Sequence, residues 1–294
     1  MIGSDRDLEG LGKLRLLLLT VCLILATPVC VWADEDGRAA EIRRIIELYG
    51  THGEFSLPQL DSDKIQAIAR GESVVLAQAI SENGDEVSSL GLVGIQLVDS
   101  PRKAVWLAML GATKRADKRL TRAILARGSP GSYTRYQHIN LPWPFRDRHW
   151  VIHCSKDTSV AERTGGLFWE HRWQLDRNGL ELVKAAVDSG KIPELNARQI
   201  DKSIYINANQ GAWITAETSD NQTLVFGVVA ADLGGFFPKP LVKSFTRNRL
   251  SAGLQNIKAL SEIAMEAYAG NPVIADGFAE PIAPFHDTHS MKAQ

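Results

Sequence analysis

The sequence predicts an α+β domain built on an antiparallel sheet. Two observations carry that reading: six strand-like segments follow one another between residues 133 and 231, and helical patterns stand before and after them. A third lies at the joints, where Asn83-Gly84 and Asp220-Asn221 mark tight turns between apolar runs. With 294 residues, 45% of them hydrophobic, the chain can bury a large core. Its 33 basic and 34 acidic residues are well mixed, which argues against nucleic acid as a partner.

Taken in order, the chain begins with an apolar run from Leu14 to Ala26, after Lys13 and Arg15, and Val31-Trp32-Ala33 offers a small-residue cleavage site. The run is shorter than the roughly 20 residues of a membrane span. Residues 1–33 therefore read as a signal peptide, with an uncleaved signal-anchor as the alternative, and the protein as periplasmic or secreted. Cleavage would leave Cys154 as the lone thiol, so packing rather than disulfides must hold the fold. The folded domain is placed at residues 34–270 and an irregular, Pro-rich tail at 271–294.

Arg38 to Tyr49 sets Ile42, Ile45, Ile46 and Tyr49 on one helical stripe, and Ser62 to Arg70 repeats the pattern through Ile65 and Ile68. Ser73–Ser81 and Val87–Val98 read as a hairpin, and Pro101 suits the first turn of a helix running to about Leu110. Ala112 to Arg127 reads as a basic helix, with Arg115, Lys118, Arg119 and Arg122 clustered opposite Leu120 and Ile124. Such a face is either simply solvated or a contact for anionic headgroups. Strands are expected at Tyr133–Leu141, His149–Ser155, Leu167–Leu175, Ile200–Ala208, Gly211–Thr218 and Thr223–Ala231. A helical segment between Leu180 and Leu195 interrupts them, and Asn209-Gln210-Gly211 is read as a turn. Lys239 to Tyr268 is the closing helix; its apolar side drifts from Leu241 and Phe245 to Leu250, Leu254 and Ile257 by about half a turn at ~100° per residue.

Two short stretches stand out. Leu141-Pro142-Trp143-Pro144-Phe145-Arg146-Asp147-Arg148-His149-Trp150-Val151 is a proline-stiffened corner leading into a strand. Asp232-Leu233-Gly234-Gly235-Phe236-Phe237-Pro238 couples a pair of glycines, free to turn with φ > 0, to a proline suited to the start of a helix. Together they resemble the two signatures of the START (StAR-related lipid transfer) domains: a Pro-aromatic-Pro-Leu-x-Asp-Arg-Asp-aromatic-Val corner and an Asp-Pro-Gly-Gly-x-Ile-Pro-x-Trp-Leu-Val lead into the last helix. The chain departs from them at His149, where the pattern has Asp, at Leu233 for Pro, and at Pro240 for Trp. The resemblance implies a helix-grip fold over roughly residues 70–268: a curved sheet around the last helix, with an apolar cavity between them.

On that implication the function is lipid binding or transfer, with a sterol, hopanoid, phospholipid or fatty acid as cargo. The glycine loop, Asp232, Gly234, Gly235 and Pro238, would gate the cavity. Strand alternation turns Trp169, His171 and Trp173 inward with Leu167 and Leu175, and suggests Trp150 and Ile152, Ile204, and Phe226 and Val228 from their strands. Phe237, Leu241 and Phe245 complete the candidate lining from the last helix and its approach. His171 would meet a ligand's polar end, or else be a core histidine bonded to a neighbouring strand. No cofactor or catalytic constellation is expected; His149 and His153 lie about 13 Å apart on a strand at ~3.3 Å per residue, too far for one metal. The chain is read as a monomer whose partner is its lipid. A polyketide cyclase-like enzyme of the same fold, or a partner-binding module whose pocket is filled by its own tryptophans, are the alternatives.

Overall fold

The computed structural model describes residues 35–82, 85–111, 119–128, 132–236 and 239–267. The expected signal segment and tail, and with them Arg115, Lys118, Phe237 and Pro238, lie outside the described residues. Helices α1 (35–52) and α2 (Ser62–Ala69) precede the hairpin β1 (Val74–Glu82) and β2 (Asp85–Val98), then α3 (Arg102–Gly111). Next come β3 (Leu120–Arg127), β4 (Tyr133–Ile139), β5 (Arg148–Asp157), the short α4 (Ser159–Arg163) and β6 (Phe168–Leu175). Helices α5 (Gly179–Asp188) and α6 (Ala197–Lys202) lead to β7 (Ile204–Tyr205), β8 (Ala208–Glu217), β9 (Thr223–Asp232) and the closing α7 (Lys239–Ala267). Among the described residues no helix is long and apolar enough to cross a membrane.

The described strands form one sheet in the order β1-β2-β9-β8-β6-β5-β4-β3, with β7 joined to β5. Every pair is antiparallel except β5 with β7. Helix α7 packs against β1, β2 and β9 on one face and is backed by α3. The curved sheet around a long C-terminal helix is the helix-grip arrangement that the two signatures imply.

Both faces of this sheet are covered. On the face away from α7, Ala39, Ile42, Ile45 and Tyr49 of α1 and Ile65 and Ile68 of α2 join Val93, Phe168, Ile214, Phe226 and Val228 in one core. The Tyr49 ring stacks on Phe226 at 6.0 Å and meets Phe168 edge-on at 5.2 Å. Its hydroxyl donates to Glu170, a fully buried carboxylate that Arg172 also binds. Burial pushes the Glu170 carboxyl up, against the opposing pull of Arg172. A second core on this face gathers Tyr136 and Val151 under Val183 and Ala186 of α5 and Ile200 of α6.

Three local readings change. Residues 120–127 are the edge strand β3, paired with β4 from Leu120 opposite Ile139 to Arg127 opposite Tyr133, not the end of a basic helix. Ala, Leu and Arg favour helix, but the ladder to β4 satisfies the same backbone groups and places apolar and basic residues where the sheet needs them. Ile200–Ala208 is not one strand: α6 begins with a capping box in which Asn196 and Gln199 exchange side-chain and backbone hydrogen bonds, leaving only the two residues of β7 in the sheet. Asn209-Gln210-Gly211 is not a turn but part of β8, where Gly211 lets the Val228 carbonyl and the Trp173 ring approach too closely for any side chain.

His149, which stands where the START pattern has Asp, is 1% exposed between Tyr136, at 3.4 Å from its Nδ1, and the Tyr205 ring. Burial first, then the neighbouring His138, lowers its pKa to about 4. An unfolded histidine titrates near pH 6.5, so between pH ~6.5 and ~4 the unfolded chain binds a proton that the native state refuses. This contribution is therefore intact above that window and stability falls as pH drops through it. Substituting His149→Phe should cut the stability lost between pH 7 and pH 5 by about 2 kcal/mol, at ~1.36 kcal/mol per pH unit. Urea unfolding of both proteins at the two pH values checks it; equal losses would refute it.

Candidate functional site

The two signatures meet in space. On β5, alternation sends Arg148, Trp150, Ile152 and Cys154 toward α7 and His149, Val151 and His153 away from it. Arg148 is 1% exposed, and its guanidinium donates to the carbonyl oxygens of Leu233 (2.7 Å), Gly234 (3.0 Å) and Arg146. Asp147 accepts the Leu141 N–H at 2.9 Å and closes the proline corner, while Arg146 donates to the main chain at the end of α6. Gly234 and Gly235 adopt φ of +64° and +63°, a region that only glycine enters without strain. Asp232 accepts the Gly234 N–H at 2.9 Å through one oxygen and the Asn207 amide at 3.0 Å through the other. The glycine loop is thus held from both sides before α7 begins.

Between the sheet and α7 lies a cavity of about 620 Å³. Trp150, Trp173 and Trp213 supply aromatic walls, with Ile152, Val229, Leu233 and Phe245. The indole N–H of Trp150 is used by Gln137 and that of Trp173 by Asn209, each at 2.9 Å, so these rings offer their faces. Polar side chains share the lining with them: Arg119, Arg122 and Arg135 from the β3–β4 side, and Thr246, Arg249 and Asn256 from α7. These three α7 residues recur at helical spacing and share the cavity-facing side of the helix with Leu250 and Ile257, which also pack into the neighbouring cores.

His171 lines the cavity, 4% exposed, stacked on the Tyr133 ring at 5.7 Å. Its Nε2 is buried and meets no hydrogen-bond partner among the described residues. Burial, then the positive charges of Arg135 and Lys156, hold its pKa at about 3, so the imidazole is neutral near pH 7. The wall thus presents a neutral ring nitrogen and cationic groups beside three indoles.

Of the residues singled out in the sequence, Trp150, Ile152, His171, Trp173 and Phe245 come together here. Trp169 shares their face of β6 but lies beyond the cavity, its ring edge-on to Trp106 at 5.5 Å and under the Arg102 guanidinium at 4.1 Å. Phe226 and Val228 point to the opposite face, into the core beneath α1; β9 lines the cavity with Val229 and Ala231 instead. Both alternate sets of β9 are apolar because helices cover both faces, so alternation by itself cannot choose between them. Ile204 lies against Gly235 and supports the loop, and Leu241 is 46% exposed. Asp232, Gly234 and Gly235 shape the loop, while Leu233 between them lines the cavity. Arg119 and Arg122 line it too, rather than forming an outer helical face.

Sequence reasoning missed Arg135, Gln137, Asn209, Trp213 and the polar lining residues of α7. The alternation Tyr133-x-Arg135-x-Gln137 lies in the sequence, but polar residues at that period ordinarily mark the solvent side of a strand. The registers settle the matter: Arg135 sits opposite Ile152, Gln137 opposite Trp150, and Trp213 opposite His171.

No protein-family model matches the sequence, and no curated protein matches it. Among solved structures, the chain is similar to human STARD10 at 12% identity, over 76% of this chain and 87% of that one, with a TM-score of 0.49. It is similar to a STAR-related lipid transfer protein fragment from Xanthomonas axonopodis at 15% identity, over 71% and 98%, with a TM-score of 0.47. For human StAR-related lipid transfer protein 5 the figures are 10% identity, 78% and 97% coverage, and a TM-score of 0.48.

Replacing Arg148 by Met should leave the carbonyls of Leu233 and Gly234 without their buried donor and cost about 2–4 kcal/mol. Amide exchange at residues 234–236 should accelerate more than in the outer core. Urea unfolding and hydrogen-exchange mass spectrometry test this; unchanged exchange in the glycine loop would show that something else holds it.

Proposed function

We propose that this protein is a carrier that encloses one amphiphilic lipid between the sheet and α7 and releases it unchanged. The observation that carries this reading is the cavity itself: about 620 Å³, walled by three tryptophans and aliphatic side chains, with arginines, His171 and a few neutral polar side chains among its lining. Ligand sites of this kind span roughly 300–1,000 Å³ and combine an apolar wall with a few oriented polar groups. A molecule with an apolar body and a polar end satisfies both.

The loops tied together by Arg148 give such a carrier a docking tip. Trp143 in the proline corner is 92% exposed and Phe236 after the glycine pair is 93% exposed. Two aromatic side chains displayed on neighbouring loops can enter the interfacial layer of a bilayer, next to the glycine loop through which we expect cargo to pass. Cleavage after Ala33, on this reading, delivers the carrier to the periplasm or outside the cell.

Mass spectrometry of organic extracts from the exported protein, purified from a host with a native-like lipid complement, should find a reproducible lipid at about one per chain. Intact mass of the same material tests cleavage after Ala33. Filling the cavity with Ala231→Trp should reduce the bound lipid at least tenfold while leaving a cooperative unfolding transition. A protein that is empty and also takes up no offered sterol, fatty acid or phospholipid would overturn the carrier reading.

A further inference from the structure

The cavity's charge points to the kind of cargo, and resting on the carrier reading we infer that the ligand's polar end is anionic: a carboxylate or phosphate monoester held by Arg135, on a single-chain or sterol-sized body. Four arginines line the cavity, Arg119, Arg122, Arg135 and Arg249, and among the described residues no Asp or Glu does.

Arg135 is the decisive member. Three other buried or bridging arginines among the described residues find oxygen acceptors for at least part of the guanidinium. Arg148 has three carbonyls, Arg172 has Glu170, Glu54 and Asp157, and Arg102 has Glu217 with the carbonyls of Gly166 and Leu167. Arg135 instead lies over the Tyr133 ring, 5.7 Å from its centre, and its Nε is buried without an acceptor among the described residues. A guanidinium held inside a fold without an oxyanion is costly, and its planar fork matches a carboxylate or phosphate in two parallel hydrogen bonds. His171 reinforces the position: its Nε2 also lacks a partner among the described residues, and the charge of Arg135 is felt strongly enough there to help keep the imidazole neutral. A neutral imidazole can donate one hydrogen bond to an anion without itself requiring a counter-charge.

Size narrows the body. At about 620 Å³ the cavity falls within the roughly 300–1,000 Å³ of small-molecule sites, a size that suits one acyl chain or a fused-ring skeleton.

The experiment is a titration of lipid-stripped protein, residues 34–294, followed by the fluorescence of the cavity tryptophans, with oleate, oleoyl lysophosphatidate, oleyl alcohol and cholesterol. Oleate or the lysophosphatidate should bind at least tenfold more tightly than the alcohol, and whichever is tighter distinguishes carboxylate from phosphate. In Arg135→Met the anion-to-alcohol ratio should fall to within twofold, through loss of anion affinity alone, while Arg135→Lys keeps part of the preference. The empty Met variant should melt no lower than the parent, since it loses a buried charge rather than a contact. If Arg135→Met does not fold, the same ratio is read in Arg135→Gln. An alcohol or sterol that binds as tightly as the anions, or a preference that survives removal of Arg135, overturns the anionic inference and leaves the carrier reading intact. Failure of all four ligands to bind overturns both.

Discussion

The guanidinium of Arg148 is buried at the point where the β5 corner, the end of β9 and the approach to α7 come within reach of one side chain. Removing a cation from water is unfavourable unless its donors are met, and here they are met by the carbonyls of Arg146, Leu233 and Gly234. Carbonyls near a turn through φ of +64° and +63° have no helical or ladder partners of their own, so the interaction resolves two problems with one side chain. It also fixes where the chain leaves the sheet. Since α7 starts a few residues later, the direction of the helix, and hence the shape of the cavity it closes, depends on this anchorage.

The two faces of the sheet are packed differently. On the face under α1 and α2, Tyr49, Phe168 and Phe226 interlock, and Glu170 is satisfied by Tyr49 and Arg172. Close packing of this kind supplies most of the apolar burial in a domain. The other face can then leave space unfilled over β4, β5 and β6 while α3 and α7 pack tightly over β2 and β9. Trp169 and His171 show where one regime gives way to the other. Two residues apart on the same face, the first is covered by Trp106 and Arg102, whereas the second borders the cavity.

The polarity of that cavity separates it from an ordinary core defect. Unfilled core space is usually lined by aliphatic and aromatic groups alone. Here indoles whose N–H groups are already engaged stand beside Arg135, His171 and polar residues of α7. It is this mixture of aromatic walls and polar groups on which the carrier proposal rests.

The amino-acid sequence by itself determined much of the scaffold. The stripe of Ile42, Ile45 and Tyr49, the alternation of Trp169, His171 and Trp173, and the two signatures around Arg148 and Gly234 were each legible, because local periodicity and backbone restriction act within a few residues. The same locality limits what could be read. Whether Phe226 or Val229 faces the cavity depends on α1 covering the other side of β9, and both sets are apolar. Whether Arg122 belongs to a helix or a strand depends on β4 offering a ladder. Arg135 and Gln137 look like solvent-facing residues until the registers with β5 turn them inward. Only the tertiary structure decided these, since a side chain's surroundings are set by which surfaces meet it from distant parts of the chain, and hydrophobic pattern records that a face is buried without recording against what.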